Sequence, residues 1–282
     1  TLDSQIIILT NTLSNAIPLS AIGDMLDEVN ETITITMSCN TTCAVGTPST
    51  QIVTILDDDN PPTATLSVGT TSLDENTGTT TTSVTATLNT VSGQDVTVTL
   101  SKTGNAIENT DYTLDSQIII LTNTLSNAIP LSAIGDMLDE VNETITITMS
   151  CNTTCAVGTP STQIVTILDD DNPPTATLSV GTENLNENTG TTTTSLTATL
   201  NTISGQDVTV TLLKTGNAIL GTDYTLADTI TILTNTLSNA IPLSAIGDML
   251  DEVNETVTIT MSFNITCAVG TPSTQTVTIL DD

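Results

Sequence analysis

Basic residues, aromatics and histidine are what this sequence most lacks. Two lysines, Lys102 and Lys214, stand against 32 acidic residues; arginine and histidine are absent, and the formal net charge is −30. Such a surface repels phosphate backbones and anionic headgroups, so no binding to nucleic acid or to a membrane surface is expected. Without histidine there is no ready general base, and no Ser or Cys lies in a nucleophile setting, so no enzyme activity is expected. Paired carboxylates run glycoside hydrolysis in other proteins. One Phe, two Tyr and no Trp do not readily line the sugar cleft such chemistry needs. No stretch approaches the roughly 18 consecutive apolar residues of a membrane-spanning helix, which argues against direct membrane insertion. A leader peptide is also missing, but the sequence opens inside a repeat, so that absence carries no weight.

Hydrophobic residues make up 37% of the 282 and aromatics only 1%, so the cores must be filled with Val, Ile, Leu, Ala and Met. Thr and Ser dominate the polar remainder, which favours strands over helices. The chain is long enough for two or three ordinary domains.

Internal repetition organises the sequence. The segment beginning TLDSQIIILTNTLSNAIPLSAIGDMLDEVNET starts at Thr1 and at Thr113, with a diverged copy from Thr225, so the period is 112 residues (113 − 1 and 225 − 113). Residues 1–70 match 113–182 without a change. The cut points predict half a repeat over 1–59, a complete repeat over 60–171 and a nearly complete one over 172–282. Duplication on this scale suits arrays built for length and reach.

Within the complete repeat, short alternating runs predict strands over 63–68, 80–88, 95–100, 117–121, 128–134, 144–149 and 161–168. Val96-Thr97-Val98-Thr99-Leu100 and Ile145-Thr146-Ile147-Thr148-Met149 alternate strictly, one face for a core and one for water. Seven strands in about 100 residues is the immunoglobulin-like count. The expected fold is all-β, a tandem of immunoglobulin-like seven-strand β-sandwiches. Asn172-Pro173-Pro174 reads as a short, semi-rigid hinge between modules.

Acidic residues collect between these strands. Glu75 sits in LDENTG, Asp111 in TDYTL, Asp136, Asp139, Glu140 and Glu143 in GDMLDEVNET, and Asp169, Asp170 and Asp171 close the last strand. In a seven-strand sandwich these loops can share one pole, where unpaired carboxylates would repel one another. A hard divalent cation resolves this, and Ca²⁺, which takes six to eight oxygens at about 2.3–2.6 Å, fits better than zinc or magnesium. Some of these acids can instead be solvated turn residues, Asp139 foremost.

The pattern resembles the Calx-β family, found in regulatory domains of sodium–calcium exchangers and in large tandem surface proteins. The residues that carry it are Glu75-Asn76 with Gly78, Gly104-Asn105-Ala106 leading to Thr110-Asp111-Tyr112, Ile134-Gly135-Asp136 with Glu140 and Glu143, and Ile167-Leu168-Asp169-Asp170-Asp171. The resemblance implies calcium ligands at Glu75, Asp111, Asp136, Glu140, Glu143, Asp169, Asp170 and Asp171. In the next copy it implies Glu187, Asp223, Asp248, Glu252, Glu255, Asp281 and Asp282. The first half-repeat offers Asp24, Glu28, Glu31, Asp57, Asp58 and Asp59. One departure bears on ion number and affinity: calcium-sensing members carry a second acid just before the Asp136 position, where this chain has Gly135. Tyr112 and Tyr224 also follow the family and are expected in the core.

Cys39 and Cys43, and again Cys151 and Cys155, form C-x-x-x-C pairs in a turn, a plausible disulfide staple outside the cell. A metal site there is not expected, for no second pair or histidine accompanies them. The third copy has Phe263 opposite Cys267, an odd thiol that is either inert or a cross-link to another chain. N-x-[ST] sequons at Asn30, Asn40, Asn142, Asn152, Asn254 and Asn264 offer glycosylation sites, and Thr79–Ser83 an O-linked one.

The leading expectation is an extracellular or cell-surface structural segment, a calcium-stabilised stalk, adhesin or filament. Its partners would be calcium ions and other copies of the same chain, since a module split between protomers, as 1–59 hints, could be completed by a neighbour. That boundary can equally be arbitrary. The alternatives are a calcium-sensing regulatory domain of a membrane transporter and a glycan-binding adhesin module.

Overall fold

The computed structural model describes residues 2–188, 192–262 and 265–281, and every regular element among them is a β-strand. The opening half-repeat contributes one antiparallel hairpin, β1 (Glu31–Thr36) on β2 (Thr50–Ile55). The middle repeat follows with β3 (Thr63–Val68), β4 (Ser72–Asp74), β5 (Thr81–Leu88), β6 (Val96–Gly104), β7 (Tyr112–Leu114) and β8 (Gln117–Ile120). It continues with β9 (Ser126–Ala133), β10 (Glu143–Cys151), β11 (Ala156–Val157) and β12 (Thr162–Leu168). Two five-stranded sheets result, ordered β4-β12-β10-β6-β8 and β11-β3-β5-β9-β7. The last repeat builds the same two sheets in the same order, its first strand, Thr175–Val180, lying 112 residues after β3 (175 − 63).

These sandwiches follow from the alternation. Along β6 and β10, Val96, Val98, Ile145 and Ile147 are fully or almost fully buried, while the threonines between them face outward. Leu66, Val84, Ile118, Ile120, Leu131, Val165 and Ile167 complete that core. Each such side chain contributes about 1.5–3 kcal/mol of hydrophobic stabilisation on burial. Tyr112 and Tyr224 lie inside, as expected.

All seven predicted strands are present, with ends displaced by up to four residues. Three further strands, β4, β7 and β11, occupy sheet edges; at two or three residues each they are too short to show a period. β4 runs parallel to β12, and β11 parallel to β3. Gly104 ends β6 at φ +139°, where a Cβ would stand 2.0 Å from the Thr144 carbonyl oxygen, so only glycine lets the chain turn there. The second proline of each Asn-Pro-Pro step belongs to the sandwich that follows. Pro62 and Pro174 are buried, and their carbonyls accept the Ala156 and Ala268 amides at 2.9 and 2.8 Å.

Close Cα packing gathers the chain into two compact units. One holds residues 1–71, 81–132 and 144–165; the other holds 72–80, 133–143 and 166–282, and so takes in the loops of Glu75, Asp136 and Asp169 together with the last repeat.

Candidate metal centre

Strand pairing delivers the acids to one tip. Because β4 and β12 are parallel, with Asp74 opposite Leu168, the chain leaves both strands on the same side: Glu75 emerges beside Asp169, and the Glu75 amide donates to the Leu168 carbonyl at 3.3 Å. Asp136 follows β9, Glu143 opens β10, and Asp111 directly precedes β7.

Glu75, Asp136 and Asp171 each place a carboxylate oxygen within 4.8 Å of the others, and Asp111, Glu140 and Glu143 form a second trio by the same measure. Glu75 is 6% exposed. Burial, reinforced by the charges of Asp169, Asp136, Glu140 and Asp171, pushes its carboxyl up to about 7. Asp171 is raised by burial and by the neighbouring Asp170, Asp136 and Asp139. Asp169 is raised by burial too, although the Glu140 amide donating to its Oδ1 at 3.1 Å works the other way. Neither lysine relieves the tip. Lys102 pairs with Glu108 and donates to the Leu114 carbonyl, while Lys214 pairs with Asp228 and donates to the Leu226 carbonyl.

The last repeat repeats the arrangement. Glu187 and Asp223 are buried, and Glu255 is pushed up to about 7, first by a hydrogen bond with Asp223, then by burial and by the charges of Asp223, Glu252 and Glu187. Asp248 Oδ1 accepts the Leu250 amide at 2.7 Å, the same turn that Asp136 makes with Leu138. Asp281 lies at the end of the final strand; the expected ligand Asp282 falls outside the described residues. In the half-repeat, burial raises both Glu28 and Asp59, the charges of Asp24, Glu31, Asp57 and Asp59 adding to the first and those of Asp58, Asp57, Asp24 and Asp27 to the second.

A hard cation suits this donor set. Asp171 Oδ2 and Asp281 Oδ1 are buried carboxylate oxygens that accept no hydrogen bond, a costly state that an ion relieves. A ligand set made only of carboxylate oxygens matches Ca²⁺. Asp170 differs from its neighbours: Oδ1 accepts Asn76 Nδ2 at 3.0 Å and Oδ2 accepts Thr77 Oγ1 at 2.9 Å, so neutral donors hold both oxygens.

Gly135 now has a physical explanation. A Cβ there would stand 1.9 Å from Asn76 Oδ1 and 2.8 Å from the Glu75 carbonyl; Gly247 meets Asn188 and Glu187 in the same way. The neutral amide of Asn76, which also donates to the Asp136 carbonyl at 3.1 Å, occupies the space a second acid would need.

Asp139 corrects the reading of it as a solvated turn residue. It is 5% exposed, and its Oδ2 accepts Ser204 Oγ at 3.0 Å and Gln206 Nε2 at 3.1 Å. Ser204 and Gln206 were not singled out from the sequence; the one signal for them is the tetrapeptide Ser-Gly-Gln-Asp, which occurs at 92–95 and at 204–207.

Cys39 bonds to Cys43 and Cys151 to Cys155, while Cys267 is a buried thiol whose pKa burial pushes up. Among the sequon asparagines, Asn30, Asn142 and Asn254 accept the amides of Asp57, Asp169 and Asp281 through their side-chain oxygens. Asn40 and Asn152 lie exposed in their turns, and Asn264 falls outside the described residues.

Fold and tip together define a class: tandem β-sandwich modules that present a carboxylate cluster at one pole. The model of the Calx-beta domain matches residues 57–171 and 169–282, and the chain belongs to that family. No curated protein sequence matches it. Among solved structures it is similar to CBD12 from CALX1.2, at 14% identity and TM-score 0.35, covering 77% of this chain and 98% of that one. It is also similar to the apo-form Calx CBD1 domain, at 18% identity and TM-score 0.33, covering 38% and 98%. A two-domain protein of unknown function from Bacteroides fragilis matches at 10% and 0.34, covering 67% and 85%.

Proposed function

We propose that this chain is a calcium-stabilised segment of an extracellular stalk, adhesin or filament. Its modules are sandwiches 60–171 and 172–282, preceded by the half-repeat 1–59. The observation that carries the reading is the convergence of Glu75, Asp136 and Asp171 within 4.8 Å at a tip that neither lysine reaches. Asp111, Glu140, Glu143 and Asp169 would share the ion or ions. Asp223, Glu252, Glu255, Glu187, Asp248 and Asp281 would do so in the last repeat. Bound Ca²⁺ neutralises the cluster and orders the loops that hold it. Gly135 in place of a second acid, with Asn76 filling the space beside it, points to fewer ions per tip than a doubly acidic loop would hold.

Near-identical copies favour a mechanical role over a sensor of calcium in a transporter, and the short supply of aromatics weighs against a glycan-binding module. The cysteine bridges suit an oxidising compartment.

The test is calcium titration of the chain by calorimetry, with small-angle scattering in calcium and in chelator. Binding and a raised melting midpoint are expected, together with a stiffer particle in calcium; Glu75→Gln should weaken binding at least tenfold, about 1.4 kcal/mol. Scattering and melting that ignore calcium would sink the proposal.

A further inference from the structure

The same contact joins consecutive repeats twice in this molecule, and its hydrogen bonds run directly between protein groups. In the first instance Asp27, 5% exposed, turns its Oδ2 to Ser92 Oγ at 3.3 Å and to Gln94 Nε2 at 2.9 Å, while its carbonyl accepts the Gly93 amide at 2.9 Å. The second is Asp139 with Ser204 and Gln206, its carbonyl accepting the Gly205 amide at 2.9 Å and Ser204 Oγ at 3.1 Å. Ser92 and Ser204 are themselves buried. Both glycines sit close under the neighbouring repeat: a Cβ at Gly93 would stand 2.6 Å from Glu28 Cγ, and one at Gly205 would stand 2.5 Å from Glu140 Cγ, so a larger residue would displace those glutamate side chains.

The logic is that of a clasp. A buried carboxylate is costly unless hydrogen-bonded donors replace its water. The Ser-Gly-Gln loop presents a hydroxyl, an amide side chain and a backbone N–H to one aspartate, without needing a cation. The loop is anchored in its own sandwich, for the Ser204 carbonyl accepts the Asn235 amide at 2.9 Å.

The third copy of the aspartate, Asp251, carries the same flanking sequence, Gly247 to Thr256, yet it is exposed; so is Glu252, and Leu250 is 63% exposed. We propose that the surface Leu250–Asp251–Glu252 is a docking site for the Ser-Gly-Gln-Asp loop of a further copy of this repeat. Asp251 would be captured there as Asp27 and Asp139 are. The occupant follows from two observed instances of the identical partner on the identical tip. Because serine, glutamine and backbone donors make these bonds, the inference stands apart from the calcium reading.

Hydrogen exchange, run in chelator, separates the two. The full chain is compared with one extended at its end by a second copy of residues 59–170. The segment from Met249 to Thr258 is distinguishable by mass because Val257 replaces the isoleucine of the other copies. On extension, its exchange between Met249 and Val253 should slow about tenfold, and Asp251→Ala should abolish the slowing. In the unextended chain, Asp139→Ala should speed exchange of residues 203–207 about tenfold, and Asp251→Ala should leave it unchanged. Exchange at 249–253 indifferent to the extension, or Asp139→Ala without effect at 203–207, overturns the proposal whatever calcium does.

Discussion

Residues 1–59 and 113–171 are the same sequence in two settings. In the second, Ile118 and Ile120 lie in β8 with no exposed surface; in the first, Ile6 and Ile8 are 54% and 57% exposed, and residues 5–8 form no strand. The hairpin β1–β2 forms in both places, for its two strands are neighbours along the chain. β8 and β9 instead pair with β6 and β5, strands that lie outside the hairpin. Periodicity therefore states which face a strand would bury; a strand exists only where another edge satisfies its backbone.

The sharpest way to break that comparison is to truncate the same isoleucine in both settings. Ile120→Ala should cost about 2–5 kcal/mol in denaturant unfolding, because it empties a packed core site. Ile8→Ala should fall within about 0.5 kcal/mol of the parent. Equal losses would mean that the half-repeat is packed as tightly as the complete one.

A second, smaller contrast sets the middle repeat against the last. Cys151 and Cys155 close a short loop, whereas Cys267 stands alone. Reduction should therefore cost the middle repeat roughly 2 kcal/mol, read as faster exchange through β10, and leave the last repeat where it was. Parallel losses in both repeats would remove the disulfide as the cause.

The smallest effect concerns the tips. Glu75 in the folded chain titrates near 7, above the ordinary 4.5, so without metal its protonated form favours the fold. That contribution is whole below about 4.5 and disappears as pH rises through about 7. In metal-free buffer the melting midpoint should drift down over this interval, and Glu75→Gln should flatten the drift. Calcium, which needs the carboxylate, should reverse its sign. A metal-free midpoint that climbs from pH 4.5 to 7 would contradict the buried placement of Glu75.

Much of the site was legible because acids at strand ends follow directly from the strand pattern. Glu75 and Asp169 come together by the parallel pairing of β4 with β12, yet β4 is too short to be recognised from its residues. Asn76 was visible as part of a motif, though its position in the space beside Gly135 was not. Asp139 read as a surface residue, since its partners lie 65 and 67 positions away.

The sequence by itself determined the 112-residue period, the β-sandwich class and the poles where negative charge collects, because alternation and turn chemistry act over a few neighbouring residues. Only the tertiary structure decided which carboxylates converge and which are clasped. Asp27, Asp139 and Asp251 share one local sequence, and what separates them is whether a Ser-Gly-Gln loop from a distant part of the chain replaces the water around them.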